Sequence, residues 1–411
     1  MNKVNKNKKN NASNIIALVA GGTGGHIFPA IATAENLIEN GYKIVFFTDY
    51  RFHNFAKYFV NITSNESFHL IFLDASQAKR GFIAKFKNYL KTLLLIYKSF
   101  NLLKIFNVKL VIGFGSYTSL PVILGSFLRG IPSLIHEQNS FLGFSNRISS
   151  IFTKAVMTSF PSTQGFYRFT IKKAIFIGMP IRKDILQLYY QNTNSNINYN
   201  AFFRTFERIN IVVLGGSQGA EIFSKIIPEA LKFLNKDMLS KIFIYHQCRD
   251  VDVDKLAIQY QEIGIKYHIN TFFQDPGKLM TMAHLIITRS GAGTLFDVAV
   301  CGSPCLLVPY KYAKNNHQYL NAKYFYQHGS ALLLQESQFK SEKVSQIMSN
   351  LFNNDYELLT LSNNIKSLAV INAHEKILNM VKTIINIDDD VNKKEFTHRA
   401  NGVRTGEVGI G

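Results

Sequence analysis

Three short glycine-rich stretches offer the first chemistry in this sequence: Gly21 to Gly25 in GGTGGH, Gly215 to Gly219 in GGSQG, and Ser290 to Thr294 in RSGAGTLFD. Each follows an apolar run and precedes a helix-like stretch. Such a loop lets the backbone approach a phosphate or a sugar closely, and the unpaired amides of the next helix start favour negative charge. A tight strand-to-helix turn is the alternative for any one of them. No GxG pair in the chain is completed to GxGxxG, because Ile27, Thr118 and Phe296 stand three residues after the second glycine of the candidate pairs, and no GxxxxGK[ST] occurs. Nicotinamide-dependent redox chemistry and P-loop phosphoryl transfer are therefore disfavoured, and a phosphate ligand of another kind remains. Asp297 follows Thr294 by three residues, one turn into the expected helix. A carboxylate there can accept hydrogen bonds from ribose hydroxyls, or simply complement the helix dipole.

The loops need strands to end on and helices to begin. Short apolar runs supply the strands: IIALVA, YKIVFFT, HLIFLD, VKLVIGF and SLIHE in the first half, then INIVVLGG, KIFIYHQ, HLIITRS and PCLLVPY. Their alternation with longer helix-like stretches predicts an α/β chain with parallel, doubly wound sheets. IIALVA-GGTGGH opens one series and INIVVL-GGSQGA a second, a coarse internal duplication. A length of 411 residues exceeds one hydrophobic core and suits two domains of roughly 150 to 200 residues each. The expected limits are a basic polar tail at 1–13, a first domain at 14–185, an Asn-rich junction at 186–208, a second domain at 209–365, a C-terminal helix at 366–387 and a polar tail at 388–411.

Composition narrows the partners. Lys and Arg outnumber Asp and Glu by 46 to 27, for a formal charge of +19, so anionic partners are expected: phosphorylated substrates, acidic lipid or nucleic acid. Dispersed charge and the lack of an RNA or DNA motif argue against nucleic acid. Cys248, Cys301 and Cys305 have no CxxC spacing, which fits a reducing compartment without a disulfide framework or zinc site. Ile15 to Ala20 is too short for a signal-peptide core, and lysines 91, 98 and 104 interrupt the greasiest later segment, so a soluble or peripheral protein is expected. In that segment Phe86, Leu90, Leu93, Tyr97 and Phe100 recur at helical steps, with Lys87, Lys91 and Lys98 to one side. The pattern fits a buried helix face or docking at an anionic membrane surface.

GGTGGHIFPA, HEQNSFLGFSNR, GGSQGA, RSGAGTLFD and NHQYLNA, in this order and spacing, resemble the MurG family of bacterial N-acetylglucosaminyltransferases over about Ile15 to Ile385. The resemblance implies a GT-B fold, two Rossmann-like domains facing a central cleft, with the acceptor and membrane side first and the UDP-sugar side second. It also implies that the C-terminal helix crosses back to the first domain. The substrates it implies are UDP-N-acetylglucosamine and lipid I, with lipid II as product, at the cytoplasmic face of the inner membrane. By position, Thr23, Gly24, Gly25, Asn139, Arg182, Ser217, Phe273, Ala292, Gly293, Thr294, Leu295, Phe296, Asp297 and Gln318 would line the donor site, with Asn321 a further candidate. Two positions depart from the family pattern: Asp297 stands where Glu is usual, one methylene shorter, and Met179 stands where the GNP segment has Asn.

Forming a β-linkage from an α-linked donor needs a base for the acceptor hydroxyl and a stabilised leaving diphosphate. His26 follows the first glycine loop at a helix start that faces the cleft in such a fold, and a helix N-terminus keeps imidazole neutral. Glu137 of HEQN is the second candidate, with a buried hydrogen-bonding role as its alternative. Helix amides and Arg182 can offset the diphosphate charge, so no metal and no cofactor are expected. Asp250, Asp252 and Asp254 alternate but read as a solvated loop. Another UDP-sugar glycolipid transferase of the same fold, or a non-catalytic UDP-sugar-binding protein, remains open.

Overall fold

The computed structural model describes residues 14–56, 59–75, 82–194, 207–216 and 219–386. Both tails, Ser217, and most of the expected junction lie outside those residues. Two parallel sheets organise the described chain. The first contains β1 (Ile15–Val19), β2 (Lys43–Thr48), β3 (Phe68–Phe72), β4 (Val108–Gly113), β5 (Ser133–Glu137), β6 (Ala155–Thr158) and β7 (Ala174–Phe176), in the order β3-β2-β1-β4-β5-β6-β7. The second contains β8 (Ile209–Leu214), β9 (Ile242–Gln247), β10 (Lys266–Asn270), β11 (Leu285–Thr288), β12 (Cys305–Leu307) and β13 (Leu332–Leu333), in the order β10-β9-β8-β11-β12-β13.

Continuous apolar strands form because both faces of each sheet are covered. In β1, Ile16 and Leu18 join a core with Phe46 and Ile112 on one face, while Ala17 and Val19 join Val45 and Ile135 on the other. In β8, Ile211 and Val213 face one core, and Val212 and Leu214 the opposite one. Strand order reverses beside β1 and again beside β8, so in each sheet a crevice opens at the carboxyl ends of those strands. The loops leaving β1, β8 and β11 are the three glycine stretches, and each leads into a helix: α1 (Gly24–Glu39), α6 (Glu221–Leu231) and α7 (Ala292–Cys301).

Between these lie α2 (Phe82–Ile105), α3 (Ser119–Leu128), α4 (Phe144–Phe152) and α5 (Lys183–Asn194), and α8 (His317–Gln327) follows them. α2 packs closely on α3, where a side chain at Gly125 would meet the Phe100 backbone at 3.0 Å. Its inward residues are Leu95, Ser99, Leu102 and Leu103. Leu90, Leu93 and Tyr97 of the amphipathic stripe face outward with Leu94, which is 69% exposed; the Phe86 side chain lies outside the described part.

Chain crossings between the domains differ in detail from the expected limits. The weakly patterned stretch after Ile185 begins as α5, because Ile185, Leu186 and Tyr189 find apolar partners in the second domain's core. Its Asn-rich remainder, 195–206, lies outside the described residues. At the other end, the helix ending at Ser367 stops short of the crossing: Leu368, Ala369 and Ile371 still pack on the second domain. Residues 373–386 then form a separate helix whose Ile377, Val381 and Ile385 join the core of the first sheet.

Candidate active site

Thr23 occupies the N-cap of α1 with an extended backbone (φ −121°, ψ 145°), and Gly24 and Gly25 form the first turn. The two ends of this loop are glycine for different reasons. A Cβ on Gly21 would fall 1.9 Å from Ser116 Oγ, in the loop after β4, so protein packing forbids a side chain there. A Cβ on Gly25 would meet nothing within 4 Å, so the space beside it is open. Asp49, at the end of β2, fastens the arrangement. Its carboxylate accepts from Gly22 N (2.9 Å), Thr118 Oγ1 (3.0 Å) and the Arg51 guanidinium (2.8 Å twice). Those donors hold its carboxyl below the usual carboxylate range although burial opposes ionisation.

His26 is half-buried between these loops. Its Nδ1 lies 3.0 Å from Gln138 Oε1. Burial lowers its pKa, the Glu137 carboxylate and the Gln138 and Phe114 hydrogen bonds oppose that, and His317 on α8 lowers it further. His317 therefore acts on His26 across the cleft, from the other domain.

Glu137 is 1% exposed, and four donors hold its carboxylate. Oε1 accepts from Asn139 N (3.0 Å) and Asn139 Nδ2 (3.1 Å), while Oε2 accepts from Gly143 N (2.9 Å) and Asn146 Nδ2 (2.8 Å). Of the two base candidates from the sequence, Glu137 thus shapes the loop leading into α4, and His26 keeps a ring nitrogen uncommitted among the described residues. Asn139, in turn, has its carbonyl oxygen on Asn321 Nδ2 at 3.1 Å.

That contact belongs to a bridge between domains. Asn321, on α8 and fully buried, accepts from Ser140 N and Ser140 Oγ (both 2.9 Å) and donates to Asn139 Oδ1 and Ser290 O (both 3.1 Å). All the bonds its amide offers here go to the seam, so Asn321 joins the HEQN loop to the glycine loop after β11. It was expected to line the donor site.

On the second domain, α7 presents Gly293, Thr294 and Asp297 near the cleft, while the side chains of Ala292, Leu295 and Phe296 are buried with Phe160 and Phe325. Only the backbone of those three is left for a ligand. Asp297, with its side chain 17% exposed, accepts from Arg182 NH2 at 3.3 Å. Arg182 also approaches Asp184 (3.8 Å) and covers the Phe28 ring at 5.4 Å, which links α1 to α7. Burial pushes the Asp297 carboxyl up to about 6, outweighing the pull of Arg182. Phe273, after β10, is buried and lines with Arg182 and Phe28 a cavity of about 1110 Å³ between the domains. Gln318 Oε1 accepts from Tyr310 N at 2.9 Å, which leaves its amide group to donate. Asp252, one of the alternating aspartates, pairs with Arg249 at 2.7 Å. Among the described residues no three His, Cys, Asp or Glu side chains gather as metal ligands.

Gln138, His317 and Asp49 were not singled out from the sequence. The signal for the first two was adjacency: each sits beside a residue that was, within HEQN and NHQYLNA.

Comparison with known proteins places this geometry. Residues 16–158 match the glycosyltransferase family 28 N-terminal domain and residues 210–377 its C-terminal domain. The chain is 33% identical over 371 residues to the UDP-N-acetylglucosamine–N-acetylmuramyl-(pentapeptide) pyrophosphoryl-undecaprenol N-acetylglucosamine transferase of Paramagnetospirillum magneticum, covering 90% of this chain and 97% of that one. It is 30% identical to the transferase of the same name from Zymomonas mobilis, covering 91% and 93%. The crystal structure of Acinetobacter baumannii MurG superposes with a TM-score of 0.72 at 26% identity, covering 90% of this chain and 99% of that one. Two parallel α/β domains of GT-B type, the glycine loops at their switch points and these relatives together establish that the chain belongs to the MurG family of N-acetylglucosaminyltransferases.

Proposed function

We propose that the chain transfers N-acetylglucosamine, with inversion, from UDP-N-acetylglucosamine to the 4-hydroxyl of the muramoyl sugar of lipid I, giving lipid II for peptidoglycan synthesis. The observation that carries this reading is His26: a ring that burial keeps neutral, fixed by Gln138 at Nδ1, at the start of α1 opposite the second domain's loops. His26 takes the proton of the attacking hydroxyl as the new C–O bond forms at the anomeric carbon. The bond to the diphosphate breaks, and UDP leaves with the electron pair. Arg182 and the amides at the starts of α6 and α7 meet the developing charge, and Asp297 accepts from the ribose.

Lipid I is held at a membrane, and the chain would work as a peripheral protein on the cytoplasmic face of the inner membrane. Among the described residues no helix is long and apolar enough to cross a bilayer. Leu93, Leu94 and Tyr97 on α2 and Phe127 and Leu128 at the end of neighbouring α3 are exposed apolar residues of the first domain, on helices that also carry Lys87 and Lys98 or lead into Arg129. Such a combination supports interfacial docking on anionic lipid.

The test is transfer of labelled sugar from UDP-N-acetylglucosamine to lipid I, run beside other UDP-sugars and other glycolipids. A second reading, a transferase for a different glycolipid, wins if another pair is turned over faster. His26→Ala should lose turnover by about 100-fold or more while donor binding stays near wild type; wild-type turnover with saturating acceptor would remove His26 from the mechanism.

A further inference from the structure

We propose that Gln138, backed by His136, is a positioning residue that fixes the tautomer of His26, so that Nδ1 carries the proton and Nε2 presents its lone pair to the acceptor hydroxyl. This rests on His26 being the base.

The argument is one of donors and acceptors. A glutamine amide has an oxygen that only accepts and a nitrogen that only donates. The Gln138 nitrogen is surrounded by acceptors: Phe114 O at 3.1 Å, His136 O at 3.3 Å and His136 Nδ1 at 3.2 Å. Rotating the amide by half a turn would set Gln138 Oε1 against two carbonyl oxygens, so the surroundings determine its orientation. Oε1 therefore faces His26 Nδ1 at 3.0 Å and requires an N–H there.

His136 completes the chain from behind. Its Nε2 lies 3.1 Å from Gly178 O, which can only accept, so Nε2 holds the proton and Nδ1 is left to accept from Gln138. His136 is fully buried, and burial pushes its pKa to about 4, so it stays neutral and its Nδ1 remains an acceptor throughout the physiological range. The polarity therefore runs one way, from His26 Nδ1–H to Gln138 Oε1, from Gln138 Nε2–H to His136 Nδ1, and from His136 Nε2–H to Gly178 O. Gly178 lies in the segment where the chain first crosses between the domains, against Val370 of the return crossing. The base is thereby oriented from the seam on which both substrates converge. Once His26 has taken the proton, the same Gln138 oxygen faces the imidazolium and favours it, as does Glu137, while His317 opposes it.

The experiment uses the full chain with ¹⁵N-labelled histidine, and reads the ring nitrogens of His26 by long-range proton–nitrogen correlation at pH 8, assigned by loss of the signal in His26→Ala. The expected result is a neutral ring protonated at Nδ1. In Gln138→Leu the Nε2–H form should appear, and kcat should fall by about tenfold or more with KM for the donor within about twofold of wild type. The acid limb of the kcat profile should move to lower pH, since a hydrogen bond that favours the charged ring is gone; a merely structural role would not move it. A wild-type ring protonated at Nε2 overturns the proposal even where Gln138→Leu fails to fold. So does a folded Gln138→Leu with unchanged tautomer and acid limb. If His26→Ala retains full turnover while the wild-type tautomer is as stated, the base assignment fails and the tautomer relay stands as structure alone.

Discussion

The proposed contact between Asp297 and the donor ribose would tie donor binding to pH, with a sign that follows from the burial of the carboxyl. Its carboxyl is pushed from an ordinary 3.8 up to about 6 because burial outweighs the attraction of Arg182 at 3.3 Å. Between about 4 and 6 the folded chain holds a proton on this group that the unfolded chain does not. The stability this confers is complete below about 4 and is lost as pH rises through about 6, a change of about 3 kcal/mol at 1.4 kcal/mol per unit. Donor binding through the proposed ribose contact should have the opposite sign, because only the ionised carboxylate can accept from both ribose hydroxyls. At pH 5 about one chain in ten is ionised, so affinity for UDP-N-acetylglucosamine should be about tenfold weaker than at pH 8. The intact donor is the right probe, since its diphosphate is doubly esterified and does not titrate in this range, unlike that of UDP. Calorimetry at pH 5, 6, 7 and 8, repeated near pH 6 in two buffers of different ionisation enthalpy, should also detect proton release on binding. Asp297→Asn should abolish that release and flatten the profile, with Arg182 retaining Asp184 as a partner. Constant wild-type affinity from pH 5 to 8, or an equal slope in the Asn variant, would refute the reasoning.

Asn321→Ala strands Ser140 N, Ser290 O and Asn139 Oδ1 in the seam, which at the low end of about 1–3 kcal/mol for each unpaired buried group should cost about 3 kcal/mol or more in thermal or denaturant unfolding. Gly25→Ala should unfold like wild type yet raise KM for a substrate, whereas Gly21→Ala should destabilise the fold by about 1–3 kcal/mol, because only Gly21 has protein atoms where the methyl would go. Glu137→Gln turns an amide donor toward donors and should cost about 2–4 kcal/mol of stability; loss of turnover with unchanged melting would mean that Glu137 acts on the acceptor instead. Lys87→Gln/Lys98→Gln should weaken sedimentation with anionic vesicles at low salt by about 30-fold, at about 1 kcal/mol per lysine, and equal binding by both proteins would remove α2 from the docking surface.

The parts of this molecule that the sequence discloses are those set by local rules. Strand, glycine turn and helix follow from period and turn chemistry within a dozen residues, so nine strands and the loops after β1, β8 and β11 could be placed before any contact was known, whereas the short or weakly apolar β6, β7, β10 and β13 were not among the runs read as strands. What stayed hidden depends on pairings between distant residues. Glu137 resembles a catalytic carboxylate until the four donors that consume it are seen, and Asn321 reads as a ligand contact until its partners 181 and 182 residues away are found. Leu295 and Phe296 stand inside a motif where every position looks ligand-facing, yet the helical step carries their side chains into the core with Phe325 and leaves Asp297 at the edge. The same logic explains Asp297 itself. Its carboxyl lies at the edge of this apolar wall, where desolvation raises its pKa, and Arg182, at the start of a helix packed on the same core, supplies the opposing charge. A ribose contact at Asp297 would therefore share its carboxylate with a guanidinium 115 residues away in the sequence, held beside it because Ile181 and Ile185 pack into the same core as α7.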